Sequence, residues 1–238
     1  MPKLIFDIET VGDDFDALDS TTQENLTRWI KKEFGAGDEY EDAFKDLKDG
    51  LGFSPLTGHI VAIGILDYDK EEGAVYFDAP GKKIQEISSG SIKFKEMSEK
   101  EMLQEFWKVA EHYDEFISFN GRAFDAPFLI VRSAVHKVKP TRDLMEGRYL
   151  YQQRGTKHID LLDQLTFYGA VRRKGSLHLW TRAFDIKSPK EDGISGDDVS
   201  RLFKEKKYLD IAKYNVGDLN ATRDLYDYWK NYILASGE

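Results

Sequence analysis

Three short segments of this 238-residue chain carry residues whose types and spacing suit chemistry. The first is Asp7-Ile8-Glu9, at the end of the apolar run KLIFDI. On a strand, residues two apart point to one face, so Asp7 and Glu9 stand side by side while Phe6 and Ile8 enter the core. Two carboxylates together on a buried strand repel each other and lose hydration. A hard divalent cation, Mg²⁺ or Mn²⁺, removes that penalty through oxygen ligands. An edge strand with a solvated face would carry the same pair without a cation.

The second segment is Asn120-Gly121-Arg122-Ala123-Phe124-Asp125, where the apolar strand EFISFN ends and a helix begins. Carboxyl ends of strands are where α/β sheets place their ligands. Read alone, Asp125 caps the helix over 126–136, with Pro127 in its first turn. The third segment is Tyr214-Asn215-Val216-Gly217-Asp218. Tyr and Asp four apart share one helix face. An Asp on a core-facing stripe is unusual unless it meets a cation, and a Tyr hydroxyl one turn away can hold a metal-bound water. An exposed helical face is the alternative.

Other elements must hold these groups in place. KLIFDI reads as a buried strand. Residues 21–34 read as an amphipathic helix, with Thr21 and Glu24 as a capping box and Leu26, Trp29, Ile30 and Phe34 on one stripe. Residues 35–57 read as a mobile excursion. HIVAIGILDYD is expected as a central strand with Val61, Ile63 and Ile65 on one face, and AVYFDA as its hairpin partner across the Asp69–Gly73 turn. Ser98 and Glu101 open a helix that carries Met102, Leu103, Phe106, Trp107 and Ala110. His158–Asp160 is another strand end, Ser176 caps a short helix to Phe184, and residues 188–198 form a loop. Asp210–Leu234 is helical, in two pieces broken near Gly217. The order predicts an α/β fold with a mixed sheet, helices on its faces, and an acidic, partly helical insertion at about 12–57.

Composition narrows the function. The chain has 34 Lys+Arg against 43 Asp+Glu, net charge −9, and no Cys. Disulfide partners and thiolate metal sites are excluded, and the cytoplasm is the expected compartment. No apolar run approaches the ~20 residues of a membrane helix, so no membrane is expected as a partner. The N-terminal MPKLIFDIET is not a signal peptide. Five His share no metal-ligand spacing, which argues against zinc. The charge is uneven: residues 12–50 carry −7 (12 acids, 5 bases), and residues 122–182 carry +7 (12 bases, 5 acids). A basic face can bind phosphate on an acidic protein, although ordinary solvated surface reads the same way.

Taken together and in order, the three segments resemble the DEDD superfamily of 3′–5′ exonucleases, whose fold is ribonuclease H-like. Lys213, where a His-type third motif would need His, points to the branch with Tyr-x-x-x-Asp. PLTGHIVAIG, FNGRAFDAPFL, HIDLLDQLTFYG, SLHLWTRAFDI, ISGDDV and YNVGDLNATRDLY are further similar to the predicted exonucleases related to the exonuclease domain of family B DNA polymerases. Asp185 stands where those have Gly. The resemblance covers residues 1–11 and 52–235; the insertion has no counterpart.

The resemblance implies one exonuclease domain over 1–238 that acts on 3′ ends of single-stranded nucleic acid, DNA before RNA. A silent nucleic-acid-binding module or an exoribonuclease of the same fold are the alternatives. It implies two ions, Mg²⁺ or Mn²⁺, ~3.5–4 Å apart. Asp7, Glu9, Asp125 and Asp218 would be the ligands, Asp125 through water, with Tyr214 orienting the attacking water and not acting as a strong base. Thr10, Asn120, Phe124, His158, Arg172 and Arg173 are the expected substrate contacts. Lys137, Lys139, Arg142 and Lys174 are further candidates to track the strand backbone. Tyr149, Tyr151 and Phe167 could join Phe124 in stacking on terminal bases, or belong to the core. Nothing in the sequence fixes the oligomeric state.

Overall fold

The computed structural model describes residues 1–35, 37–188 and 195–235. Most of the expected 188–198 loop, with Ile194 of the ISGDDV segment, lies outside the described residues. The strands are β1 (Lys3–Gly12), β2 (Gly58–Asp67), β3 (Glu72–Phe77), β4 (Ile87–Ser89), β5 (Ile92–Glu96), β6 (Glu115–Ser118) and β7 (Lys157–Asp160). They form one mixed sheet in the order β4-β5-β3-β2-β1-β6-β7. β2 runs antiparallel to both neighbours, while β6 lies parallel to β1 and β7 parallel to β6. The five strands β3-β2-β1-β6-β7 have the order and directions of the ribonuclease H-like fold. β4 and β5, short and partly exposed, extend the sheet beyond what the sequence pattern announced.

The helices are α1 (Ser20–Phe34), α2 (Asp38–Gly50), α3 (Glu99–Ala110), α4 (Asp125–Val135), α5 (Leu161–Leu165), α6 (Leu177–Ala183), α7 (Val199–Lys204) and α8 (Tyr208–Tyr228). No helix among the described residues is long and apolar enough to cross a membrane. Alternation along β1 sorts the core into two layers. Leu4, Phe6 and Ile8 pack with α3 and α4 residues such as Phe106, Trp107 and Phe128. Ile5 and Val11 pack on the other side with Ile211, Ala212 and Leu219 of α8. Asp7 and Glu9 share the parity of Ile5 and Val11, so β1 turns both carboxylates toward α8.

Several local expectations need correction. The cap of α1 is Asp19, which accepts from Thr22 N at 3.0 Å, and not Thr21. The inward residues of α1 are Thr27 and Ile30, while Trp29 is exposed. Residues 35–57 are not a featureless excursion but hold α2, with Asp38, Glu39 and Glu41 in its first turn, where they suit the helix dipole. Its aromatic residues pack locally, with Phe44 edge-on to Phe15 at 5.0 Å and stacked on Tyr40 at 5.9 Å. Val61 does not share a face with Ile63 and Ile65, because the β1–β2 register shifts between Glu9 and Thr10. This bulge lies directly beside a candidate ligand. α8 runs unbroken through Gly217 and ends in one wide turn, Trp229–Ile233.

Candidate active site

Three elements converge on one point. One carboxylate oxygen each from Asp7 and Glu9 of β1 and Asp218 of α8 lie within 4.8 Å of one another. Glu9 and Asp218 are buried and Asp7 is half-buried. Asn215, one turn before Asp218 and fully buried, reaches between the strand carboxylates. Its Nδ2 donates to Asp7 Oδ2 at 2.7 Å and stands 3.5 Å from Glu9 Oε1. After burial, the charge of Asp218 acts most strongly on the Tyr214 hydroxyl, one turn away on the same helix.

Asp125 opens α4 beside this triad. Its Oδ1 accepts from Ile8 N at 3.0 Å, the amide between the two strand carboxylates. One of its oxygens is therefore held by backbone, and Asp125 is not part of the close triad.

The electrostatics are those of crowded like charges. Burial, then Asp125, Asp218 and Glu9, raise the Asp7 carboxyl well above the ordinary carboxylate range. Glu9 is raised by burial and Asp218, against the bond from Asn215. Asp125 is pushed up to about 7, chiefly by burial, although the Ile8 amide opposes the shift. Burial, then the charges of Asp218, Glu9 and Asp7, hold the Tyr214 hydroxyl protonated far above its usual range, so it cannot serve as a base near neutral pH. Oxygen-only donors that repel one another are the donor set a hard divalent cation satisfies, and the residues present fit Mg²⁺ or Mn²⁺.

Residues 58–234 match a family described as predicted 3′–5′ exonucleases related to the exonuclease domain of PolB. The chain belongs to this family. The match contains Asp125, Tyr214 and Asp218 but starts after β1, so Asp7 and Glu9 join the site through the fold. A DNA polymerase of Pyrococcus glycovorans is 26% identical over 168 residues, covering 63% of this chain and 21% of that one. The family B DNA polymerase of the hyperthermophilic archaeon Pyrobaculum calidifontis superposes with TM-score 0.54 at 16% identity, over 96% of this chain and 24% of the polymerase. The chain thus spans about a fifth to a quarter of the polymerases it resembles.

The remaining expected contacts fall at different depths. Thr10 is half-buried, and its hydroxyl donates to Gly52 O at 2.7 Å, tying β1 to the end of the insertion. Phe124 is half-buried against Phe128 and the exposed Phe53. Asn120 has a left-handed backbone (φ 62°). Its N–H, like that of Arg122, donates to the Asp160 carboxylate at 2.9 Å. The same carboxylate caps α5 through Leu162 N at 2.9 Å. Arg172 and Arg173 are exposed on the segment that follows α5. Arg142 is tied to the end of α3 through Ala110 O at 3.3 Å and is not a free backbone contact.

His158 is a correction. It is 1% exposed, with Nε2 at 2.7 Å from Ser118 Oγ and Nδ1 at 2.9 Å from Leu144 O. Burial pushes its pKa down to about 3, so it stays neutral inside the core and offers nothing to a substrate.

Sequence reasoning passed over Asn215 and Gly64. Asn215 stands three residues before Asp218, a helical spacing that puts both on the face turned to β1. Gly64, opposite Asp7 on β2 and against the Asn215 side chain, gave no signal in the sequence, since that fit depends on a helix more than 140 residues away.

Proposed function

We propose that this chain is a metal-dependent exonuclease of the DEDD type with Tyr in its third motif. It removes nucleotides from the 3′ end of single-stranded nucleic acid, DNA in preference to RNA. The carrying observation is the convergence of Asp7, Glu9 and Asp218, whose oxygens lie within 4.8 Å of one another. The DNA preference rests on the relatives being DNA polymerases. Residues 1–238 act as one exonuclease domain with the insertion at about 12–57. A chain without Cys suits the reducing cytoplasm.

In this reading Asp7, Glu9 and Asp218 hold divalent cations, two Mg²⁺ or Mn²⁺, with Asp125 contributing its remaining oxygen through water. Bound there, the cations would activate water and neutralise charge on the phosphate and the leaving 3′ oxygen. The protein's own groups do the positioning. Asn215 fixes the Asp7 carboxylate by its 2.7 Å bond. Tyr214, unable to act as a base at neutral pH, orients the attacking water through a hydrogen bond. Thr10, Asn120, Phe124, Arg172 and Arg173 contact the strand.

The test is digestion of matched single-stranded DNA and RNA labelled at the 5′ end, with Mg²⁺, Mn²⁺ or EDTA. The expected result is a ladder that shortens from the 3′ end with either cation and no change in EDTA. Asp7→Ala abolishes it. Internal cuts, or undiminished cleavage by Asp7→Ala, would overturn the proposal. Binding without cleavage would leave a silent module of the same fold.

A further inference from the structure

A second surface, at the far edge of the sheet, has the chemistry of a stacking platform. Tyr151 is 81% exposed and lies parallel to Tyr149, with ring centres 5.6 Å apart and planes 6° apart. Tyr149 is held from below by Tyr168, edge-on at 4.6 Å. Phe167, the neighbour of Tyr168, is 60% exposed. Aromatic rings are normally core or covered, so three presented together mark an interaction surface.

Backbone strain maintains this presentation. Phe167 and Tyr168 both sit in the left-handed region, at φ 50° and 54°. Each such non-glycine residue costs on the order of 1 kcal/mol or more and persists only where its surroundings enforce it. Here Tyr168 N donates to Asp163 O at 2.7 Å and Val171 N to Thr166 O at 3.1 Å. The Tyr168 hydroxyl accepts from Gln164 Nε2 at 2.8 Å. The turn drives Tyr168 inward onto Tyr149 and Phe167 outward.

The platform is charged for a polyanion. Arg172, Arg173 and Lys174 begin five residues after Phe167 and are exposed, within the stretch of residues 122–182 that carries +7. It is also wired to the catalytic loop. Asp160 holds the amides of Asn120 and Arg122, five and three residues before Asp125, and caps α5, whose end leads into Phe167. The Arg122 guanidinium in turn donates to Leu144 O and Met145 O, and Arg148 pairs with Asp163 at 3.0 Å, fixing the segment that bears Tyr149 and Tyr151. β7, from which α5 leaves, is two strands from β1. At ~4.8 Å per strand, β7 lies ~10 Å from β1, which carries Asp7 and Glu9.

We infer that Tyr149, Tyr151 and Phe167, flanked by Arg172 and Arg173, bind the bases of a single strand upstream of the nucleotide being cleaved, without regard to sequence. This rests on the exonuclease reading for the strand's direction. The rings stack on unpaired bases, and the two arginines meet their phosphates. A terminal nucleotide seated in the carboxylate cluster cannot reach the platform, so the contribution appears only with longer strands.

The experiment measures affinity in EDTA for fluorescent oligothymidylates, a trimer and a strand of about 16 nucleotides. Tyr151→Ala/Phe167→Ala should weaken binding of the long strand about tenfold, the loss of roughly one stacked base, and leave the trimer unchanged. Arg172→Ala/Arg173→Ala should reduce the slope of log affinity on log salt by about 1.4 for the long strand. Long-strand affinity within about twofold of wild type in the aromatic variant overturns the platform. So does an unchanged slope in the arginine variant, which also decides the matter should the aromatic variant fail to fold. Cleavage with Mg²⁺ or Mn²⁺ is scored separately. Wild-type protein that binds the long strand but never cleaves removes the exonuclease reading and leaves the platform. Cleavage by a protein whose variants bind like wild type does the reverse.

Discussion

Gly64 of β2 makes room for Asn215 of α8. It stands opposite Asp7 in the β1–β2 ladder, and a Cβ there would lie 1.8 Å from Asn215 Oδ1. The missing side chain on one strand thus lets a helix side chain reach the carboxylate on the next. Gly64→Ala forces Asn215 off Asp7. Its expected cost is about 1–3 kcal/mol of stability, the usual penalty of overpacking. Adding Asn215→Ala should return part of that loss without restoring cleavage. Denaturant unfolding of both single variants and the double variant checks this; strictly additive losses would show that the two residues do not meet.

Tyr214→Phe removes one hydroxyl and little else. A group that orients the attacking water contributes on the order of 10²-fold, so the single-turnover rate should fall by about that factor while unfolding is nearly unchanged. Since burial and the neighbouring carboxylates keep this hydroxyl protonated, the wild-type rate should show no limb from tyrosine ionisation near neutral pH. A rate within about twofold of wild type would remove Tyr214 from the chemistry.

The site was legible in the sequence to the extent that its spacing is local. Asp7 and Glu9 share a face because a strand alternates, and Tyr214 and Asp218 because a helix turns every 3.6 residues. The sheet was legible where strands are apolar, as in KLIFDI and HIVAIGILDYD. It was not at β4 and β5, which are short, half-exposed and carry Lys93 and Lys95. Nor did local spacing reveal what distant pairing decides. His158 looks like a site residue two positions before Asp160, yet it packs into the core against Phe6, on the face of the sheet away from α8. The bulge that turns Val61 depends on register with β1, and the fit of Asn215 on a glycine of another strand.

Asp125 gives the protein a pH dependence of definite sign in the absence of cations. Burial raises its folded-state pKa to about 7, above the ordinary carboxylate range. At low pH it is protonated whether folded or unfolded and costs nothing. As pH rises, the unfolded chain releases the proton first and the folded chain keeps it up to about 7. The stability present at low pH is therefore lost across that window and then levels off. Asp125→Asn retains an oxygen for the Ile8 amide and removes the titration. In EDTA the variant should gain stability over wild type from pH 4 to 7, on the order of a few kcal/mol. Saturating Mg²⁺ should shrink the gain, because cation binding stabilises the ionised site. A stability difference that does not vary with pH would mean that Asp125 ionises normally.

The acidic insertion is the part of the chain whose effect on substrate is easiest to isolate, because it closes on itself. Gly12 and Gly52 meet backbone to backbone: a Cβ on Gly12 would lie 2.8 Å from Gly52 N. Between them α1 and α2 pack on each other, and Phe15 and Ile30 are buried without joining either core of the sheet. The excursion leaves β1 at Gly12, three residues after Glu9 of the carboxylate cluster, and residues 12–50 carry −7. A negative rim repels duplex flanks more than a single 3′ end, although a purely structural cover for β1 would look the same. Replacing residues 14–48 by a short Gly/Ser linker distinguishes the two. The ends already meet, so the sheet should fold with little loss of stability. If the rim acts on substrate, the ratio of duplex to single-strand cleavage rises in the deletion variant, and its dependence on salt weakens because a screened repulsion is gone. An unchanged ratio in a folded deletion variant would leave the insertion a structural role alone.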